Sequence, residues 1–200
     1  MTVRPDYFDQ LYAGADDPWD LRGRWYERRK RAAVLAALPR KRYRRGFEPG
    51  CAVGALTVGL AARCDELLAV DRHERPVAAA AEALAGHEHV RVARMDVPAQ
   101  WPDGAFDLVV LSEIGYYFAG TDLVRLAALA AASVLPGGTL LGCHWRHPAP
   151  DHAVPGDEVH RVLAAQPGLV RVVHHLEEDF VLDVWTRGAV ASPAGAEGLS

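Results

Sequence analysis

The sequence predicts an α/β fold, a mostly parallel sheet with helices on both faces and an antiparallel last strand. Three observations carry this. Apolar strand-like runs alternate with helical stretches from about residue 44 to 145, an order that implies right-handed crossovers and a parallel sheet. A glycine turn, Gly50 to Gly54, joins the first run directly to an apolar helical stretch. Near the end, two strand-like runs are separated only by Glu177-Glu178-Asp179, which makes them a hairpin.

The elements follow in order. Residues 1–43 form a helical cap, with a helical region from about Pro5 to Leu38. Its second half is strongly basic: 11 of the chain's 22 Lys and Arg residues lie between Arg22 and Arg45, opposed only by Glu27. One reading is a solvated helix face, Arg24 to Leu38, with Trp25, Val34, Leu35 and Leu38 packing inward. The other is a helix that lids a ligand site through Trp19, Trp25, Tyr26 and Arg28. The overall net charge of −4 and the lack of any RNA-recognition module argue against nucleic-acid binding.

The core, residues 44–187, begins with a strand to Pro49, a helix Val53 to Arg63 and a strand Glu66 to Asp71. A helix Arg75 to Ala85, a strand Val90 to Met95 and a strand Phe106 to Ser112 continue the alternation. Next come a helix Thr121 to Leu135, stopped by Pro136-Gly137-Gly138, and a strand Thr139 to Trp145. A Pro/His-rich loop leads to a short helix, Asp157 to Ala165, and the hairpin strands Leu169 to Leu176 and Phe180 to Arg187. Residues 188–200 are rich in Ala, Gly, Ser and Pro and are expected to be a flexible tail.

Two hundred residues, half of them hydrophobic, suit one domain with a substantial core. The N-terminus lacks the layout of a signal peptide, and no apolar run reaches the ~20 residues that span a membrane. Cytoplasmic residence, without membrane association, is the default expectation. Cys51, Cys64 and Cys143 are odd in number and widely spaced, which suggests reduced thiols and neither a disulfide framework nor a zinc site.

The chemistry concentrates at the strand ends. Gly50 and Gly54 permit a tight turn and close approach of a ligand to the main chain, and the helix-start N–H groups face that ligand. Asp71 ends the next strand 23 positions after Glu48, near the spacing of about 20 expected for an acidic residue that grips ribose hydroxyls. Met95-Asp96-Val97 closes the third strand, and Ser112-Glu113 the fourth.

With these motifs and Pro136-Gly137-Gly138, the chain resembles the class I S-adenosylmethionine-dependent methyltransferases across about residues 44 to 145. The resemblance implies their Rossmann-like, mostly parallel seven-stranded sheet. A closer likeness is to the NodS-type N-methyltransferases, which share the Glu-x-Gly-Cys-Ala-x-Gly-Ala-x-Thr form seen at Glu48 to Thr57, together with Asp17-Pro18-Trp19 and Ser112 to Tyr117. Ala52, where a glycine is common, then reads as a subgroup habit. His144-Trp145-Arg146-His147-Pro148 departs from that pattern.

The resemblance implies S-adenosylmethionine as cofactor and S-adenosylhomocysteine as product. It places Gly50, Cys51, Ala52 and Gly54 on the methionine part, Asp71 on the ribose, and Asp96 on the adenine amino group with Met95 and Val97 flanking the ring. Glu48, Trp19, Arg28, Arg72 and Ser112 complete the expected cofactor set. Small-molecule N-methylation of an amino sugar or sugar-containing metabolite is the expected activity. O-methylation of a natural product, or a cofactor-binding protein that transfers no methyl, are the alternatives. A monomer or homodimer is expected.

Methyl transfer is an in-line displacement, so the protein chiefly aligns an acceptor lone pair and excludes water. Glu113, just beyond the fourth strand, is the first catalytic candidate, because a carboxylate there holds an ammonium or takes its proton. Tyr116 and Tyr117 follow on the same loop, one to orient the acceptor and the other to pack, with Tyr117 the catalytic candidate. His144, closing the fifth strand, or His147 in the loop after it is a candidate general base near neutral pH. A metal site at His144, His147, Asp151 and His152 is disfavoured, since the spacing fits no zinc pattern. A nicotinamide dehydrogenase is disfavoured too: Lys30 and Lys41 are the only lysines, and no hydride-transfer set accompanies the turn.

Overall fold

The computed structural model describes residues 2–199; residues 1 and 200, at the ends of the expected cap and tail, lie outside it. In chain order the elements are α1 (Pro5–Gly14), α2 (Trp25–Ala37), β1 (Tyr43–Pro49), α3 (Thr57–Ala61), β2 (Cys64–Asp71), α4 (Glu74–Ala83) and β3 (Val90–Arg94). They continue as β4 (Phe106–Ser112), α5 (Thr121–Ser133), β5 (Val134–Trp145), α6 (Gly156–Ala164), β6 (Leu169–Leu176), β7 (Phe180–Arg187) and α7 (Pro193–Ala196). The strands form one seven-stranded sheet in the order β3-β2-β1-β4-β5-β7-β6. Pairings among β1 to β5 are parallel, and β7 runs antiparallel to both β5 and β6.

Alternation along the central strands builds the two layers. Val109 and Leu111 of β4 join Phe47, Phe106, Leu126, Leu140, Leu163 and Trp185 on the face covered by α5 and α6. Leu108 and Val110 point the other way, to Val34, Leu60, Leu141, Leu182 and Val184 beside α2 and α3. β4 is thereby buried on both faces, as parallel strands between helical layers require.

Several boundaries differ from expectation. The N-terminal helical region resolves into two helices, because Asp17 accepts the N–H groups of Leu21 and Arg22 at 2.9 and 3.0 Å and holds the intervening chain in a turn. Trp25, which packs inward on one reading and contacts a ligand on the other, does neither: it is 69% exposed on the first turn of α2 and does not line the cavity described below. The helix after β1 begins only at Thr57, since the glycine turn extends further than its residues suggest. α5 stops at Ser133, two residues before Leu135: the Arg187 guanidinium takes up the carbonyls of Ala132 and Val134 at 2.9 and 2.8 Å, which lets the chain leave the helix early. Pro136 to Gly138 then bulge out of β5, between the residues that pair with Phe106 and Leu108. The expected tail carries the short helix α7, capped by Ser192. Among the described residues no helix is long and apolar enough to cross a membrane.

Candidate active site

A cavity of about 430 Å³ opens at the C-terminal ends of the parallel strands, where the order reverses between β1 and β4 and α/β sheets place their ligands. The turn after β1 supplies Gly50, Cys51 and Ala52, the end of β2 supplies Asp71 and Arg72, and Met95 and Val97 follow β3. Ser112 and Glu113 at the end of β4, and Trp145 at the end of β5, complete the strand-end contribution.

The turn has a left-handed backbone at Gly50 (φ +74°), Ala52 (+46°) and Gly54 (+76°). For Ala52 that conformation carries a steric cost, and the Asp71 carboxylate meets it by accepting the Ala52 N–H at 3.1 Å. The other Asp71 oxygen accepts from the His73 N–H, also at 3.1 Å. Asp71 is thus fixed by two backbone donors while facing the cavity. Burial raises its pKa despite these bonds. Gly54 does not line the cavity. It lets the turn pack on α4, where an added Cβ would stand 3.1 Å from the Ala80 Cα.

Glu48, the last residue but one of β1, is 3% exposed and lines the cavity, and its Oε2 has no hydrogen-bond partner among the described residues. Burial, only partly offset by the neighbouring Thr57 hydroxyl, pushes its pKa up to about 7. Cys51 beside it is buried, and burial with the Glu48 and Asp71 charges drives its thiol well above the usual range. That is the opposite of an activated thiolate.

Expected partners part company at β3. Met95 and Val97 line the cavity, but Asp96 does not. Its carboxylate pairs with Arg72 Nη2 at 3.1 Å in an adjoining depression shared with Asp9, His73 and Gln100. An Asp in a polar loop finds the nearest guanidinium.

Across the cavity, Glu113 anchors a polar cluster that the motifs did not suggest. Lys30 of α2, 4% exposed, places Nζ 3.1 Å from Glu27 Oε1 and 3.3 Å from Glu113 Oε1. Burial opposes the Lys30 charge, but the two carboxylates outweigh it and hold the ammonium above its ordinary value. The other Glu113 oxygen accepts from the Tyr116 hydroxyl at 2.7 Å. Glu113 itself sits at φ +56°, a strained position for a non-glycine residue, which turns its side chain back toward α2. The Tyr26 ring lies under Lys30 and edge-on to Trp145, and its hydroxyl has no partner among the described residues. One signal for the cluster was present in the sequence, the i,i+3 spacing of Glu27 and Lys30.

α1 forms another wall through Phe8 and Tyr12. Phe8 packs edge-on against Tyr117, which also lines the cavity, and Tyr12 packs edge-on against Trp19. Trp19 lines the cavity too. Arg28 does not: it is exposed and donates to the Gly23 carbonyl, because its position on α2 faces away from Lys30. His144 is the larger correction. It is fully buried behind the cavity wall, and its Nε2 accepts the Gly115 N–H at 3.0 Å, so no lone pair is left for a substrate proton. His147 pairs with Asp179 at 2.8 Å.

The family model for Nodulation protein S (NodS) matches residues 9–141. The chain belongs to the NodS family. Nodulation protein S of Rhizobium tropici is 32% identical over 129 residues, 64% of this chain and 54% of that protein; the chain spans about half the length of the curated NodS relatives it matches. The crystal structure of the N-methyltransferase NodS from Bradyrhizobium japonicum WM9, a complex with S-adenosyl-L-homocysteine, superposes with a TM-score of 0.81 at 26% identity, over 92% of this chain and 98% of that one. A Pseudomonas syringae crystal structure, named as a candidate methyltransferase, is 49% identical with a TM-score of 0.72, over 82% of this chain and all of that one. The NodS match ends at residue 141, so β7, β6 and the loop after β5 lie beyond it.

Proposed function

We propose that this protein is an S-adenosylmethionine-dependent methyltransferase that methylates the amino group of a small acceptor, an amino sugar or sugar-containing metabolite. The observation that carries the reading is the placement of Glu113 across one cavity from the glycine turn and Asp71. The NodS complex with S-adenosyl-L-homocysteine supports it.

The residues fit the cofactor. Glu48 offers an unpartnered buried carboxylate oxygen to the cavity, the partner a cofactor ammonium needs. Asp71 keeps lone pairs free for two ribose hydroxyls, and Met95 and Val97 offer apolar surface to a base. Trp19, Cys51, Ala52, Arg72 and Ser112 line the same space. The bound sulfonium supplies an electrophilic methyl group.

The chain's own work is positioning. Glu113 holds the acceptor amine by its proton and accepts that proton as the nitrogen lone pair turns toward the methyl group. Lys30, 3.3 Å from Glu113 Oε1, fixes that carboxylate in place, and Tyr116 holds its other oxygen. Tyr117, Phe8 and Tyr12 close the space to water. Tyr26 and Trp145 offer a hydroxyl and an aromatic face to a polyhydroxylated acceptor.

With D-glucosamine as probe, the protein is expected to release S-adenosylhomocysteine and yield a product heavier by one methyl group. Glu113→Gln should lower kcat by about 100-fold with cofactor affinity retained. Turnover of hydroxyl acceptors alone would change the reading to O-methylation. Tight cofactor binding without transfer to any acceptor would abandon the enzyme reading.

A further inference from the structure

A buried hydrogen-bond chain runs behind the acceptor side of the cavity. The Gly115 N–H donates to His144 Nε2 at 3.0 Å, His144 Nδ1 meets His160 Nε2 at 3.0 Å, and His160 Nδ1 meets Asp183 Oδ2 at 2.6 Å. His144, His160 and Asp183 are 0%, 5% and 1% exposed. At the outer end, half-exposed His174 contacts the second Asp183 oxygen at 2.7 Å, with Arg171 3.5 Å away. The side chains His144, His160, Asp183 and His174 come from β5, α6, β7 and β6, and all four residues lie beyond residue 141, where the NodS family model ends.

The backbone donor settles the polarity of the whole chain. A main-chain N–H cannot accept, so His144 Nε2 must carry a lone pair and Nδ1 the proton. That proton is donated to His160 Nε2, which therefore also carries a lone pair. His160 Nδ1–H is then donated to the Asp183 carboxylate. Both rings are neutral, and each has a single permitted tautomer. Burial and the facing His160, Lys30 and His152 hold the His144 imidazole well below its usual pKa.

What hangs on this chain is the turn Gly115 to Tyr117, between Glu113 and the rest of the protein. Gly115 opens a short 3₁₀ turn, so its N–H has no partner within the turn. The residue cannot be larger: a Cβ there would lie 2.3 Å from Val159 Cγ1 and 2.9 Å from His144 Nε2. Tyr116, whose ring packs edge-on against His144, holds Glu113 by its hydroxyl. We propose that His160 and Asp183 are positioning residues for the acceptor loop: by fixing His144 as the Nδ1–H tautomer, they hold Gly115, and through it Tyr116, Tyr117 and Glu113, in place for the acceptor. The kinetic consequence rests on the methyl-transfer reading; the tautomer chain does not.

Ring ¹⁵N spectra of the wild-type protein at pH 7.5 are expected to show His144 and His160 both protonated at Nδ1 and bare at Nε2; an Nε2–H form or an imidazolium at either ring overturns the proposal. His160→Phe should speed hydrogen exchange at the Gly115 amide and lower kcat/KM for D-glucosamine by about 100-fold, with S-adenosylmethionine affinity unchanged. His160→Gln, which can accept from His144 and donate to Asp183, should restore most of both. Unchanged Gly115 exchange in His160→Phe, or equal loss of cofactor binding without rescue by Gln, sinks the positioning role. If glucosamine is not methylated, the functional reading is at fault, and the ring and exchange measurements still decide the chain.

Discussion

Lys30 Nζ lies 3.3 Å from Glu113 Oε1, inside the protein and at the cavity wall. A buried pair of this kind adds modest net stability when intact and costs heavily when halved, because the surviving charge has lost both water and partner. Lys30→Met leaves Glu27 and Glu113 facing each other without a cation. It should lower the unfolding free energy by about 3 kcal/mol, read by urea denaturation, and the Lys30→Met/Glu113→Gln double variant should recover part of that loss.

Glu48 titrates at about 7 in the folded protein against an ordinary 4.5. A raised carboxyl leaves the fold at full stability below the unfolded value, and stability falls as pH climbs through the folded one. The ligand-free protein should therefore lose about 3 kcal/mol between roughly pH 4.5 and 7 from this group. Denaturation midpoints across that window should flatten in Glu48→Gln. Cofactor affinity should rise over the same range in wild type, as the carboxylate forms, and not in the variant.

Ala52 holds a left-handed conformation at φ +46°. Ala52→Gly removes a steric cost of about 1–2 kcal/mol and adds back most of it as unfolded-chain entropy. Thermal unfolding should show a net gain of about 0.5 kcal/mol. A loss would mean that the Ala52 methyl contributes packing that outweighs its backbone strain.

Asp71 both anchors the Ala52 amide and faces the cavity. Removing two charge-assisted hydrogen bonds to a ribose should weaken S-adenosylmethionine binding by about 100-fold. Calorimetry on Asp71→Ala checks this, with Ala52 amide exchange as a companion reading of the loosened turn. Undiminished affinity would remove the ribose assignment.

The succession of strands and helices and the glycine turn were legible because their causes are local. A Gly-rich turn, an acidic strand end and a three-residue hairpin link each follow from a handful of neighbouring residues. The inward placement of Lys30 was not legible: in a run of arginines it reads as one more solvated cation, and only the approach of Glu113, far along the chain, makes its burial tolerable. His144 misled for a related reason. Histidine at a strand end suggests proton transfer, whereas its partners His160 and Asp183 are brought to it by α6 and β7. Asp96 was placed at the right strand end, but the rotamer that pairs it with Arg72 depends on a neighbour's reach.

Helix α1 is ten residues long, has no side-chain cap at its N-terminus, and supplies Phe8 and Tyr12 to the cavity wall. A helix of that length has little stability of its own in water. Its order is borrowed from a few contacts, among them Tyr7 with Asp151 and Asp9 with His73. Whatever fills the cavity therefore also holds this helix down, and by linkage the energy of seating the helix is drawn from the energy of binding. Occupancy of the pocket and protease resistance of the N-terminal segment are two readings of one equilibrium.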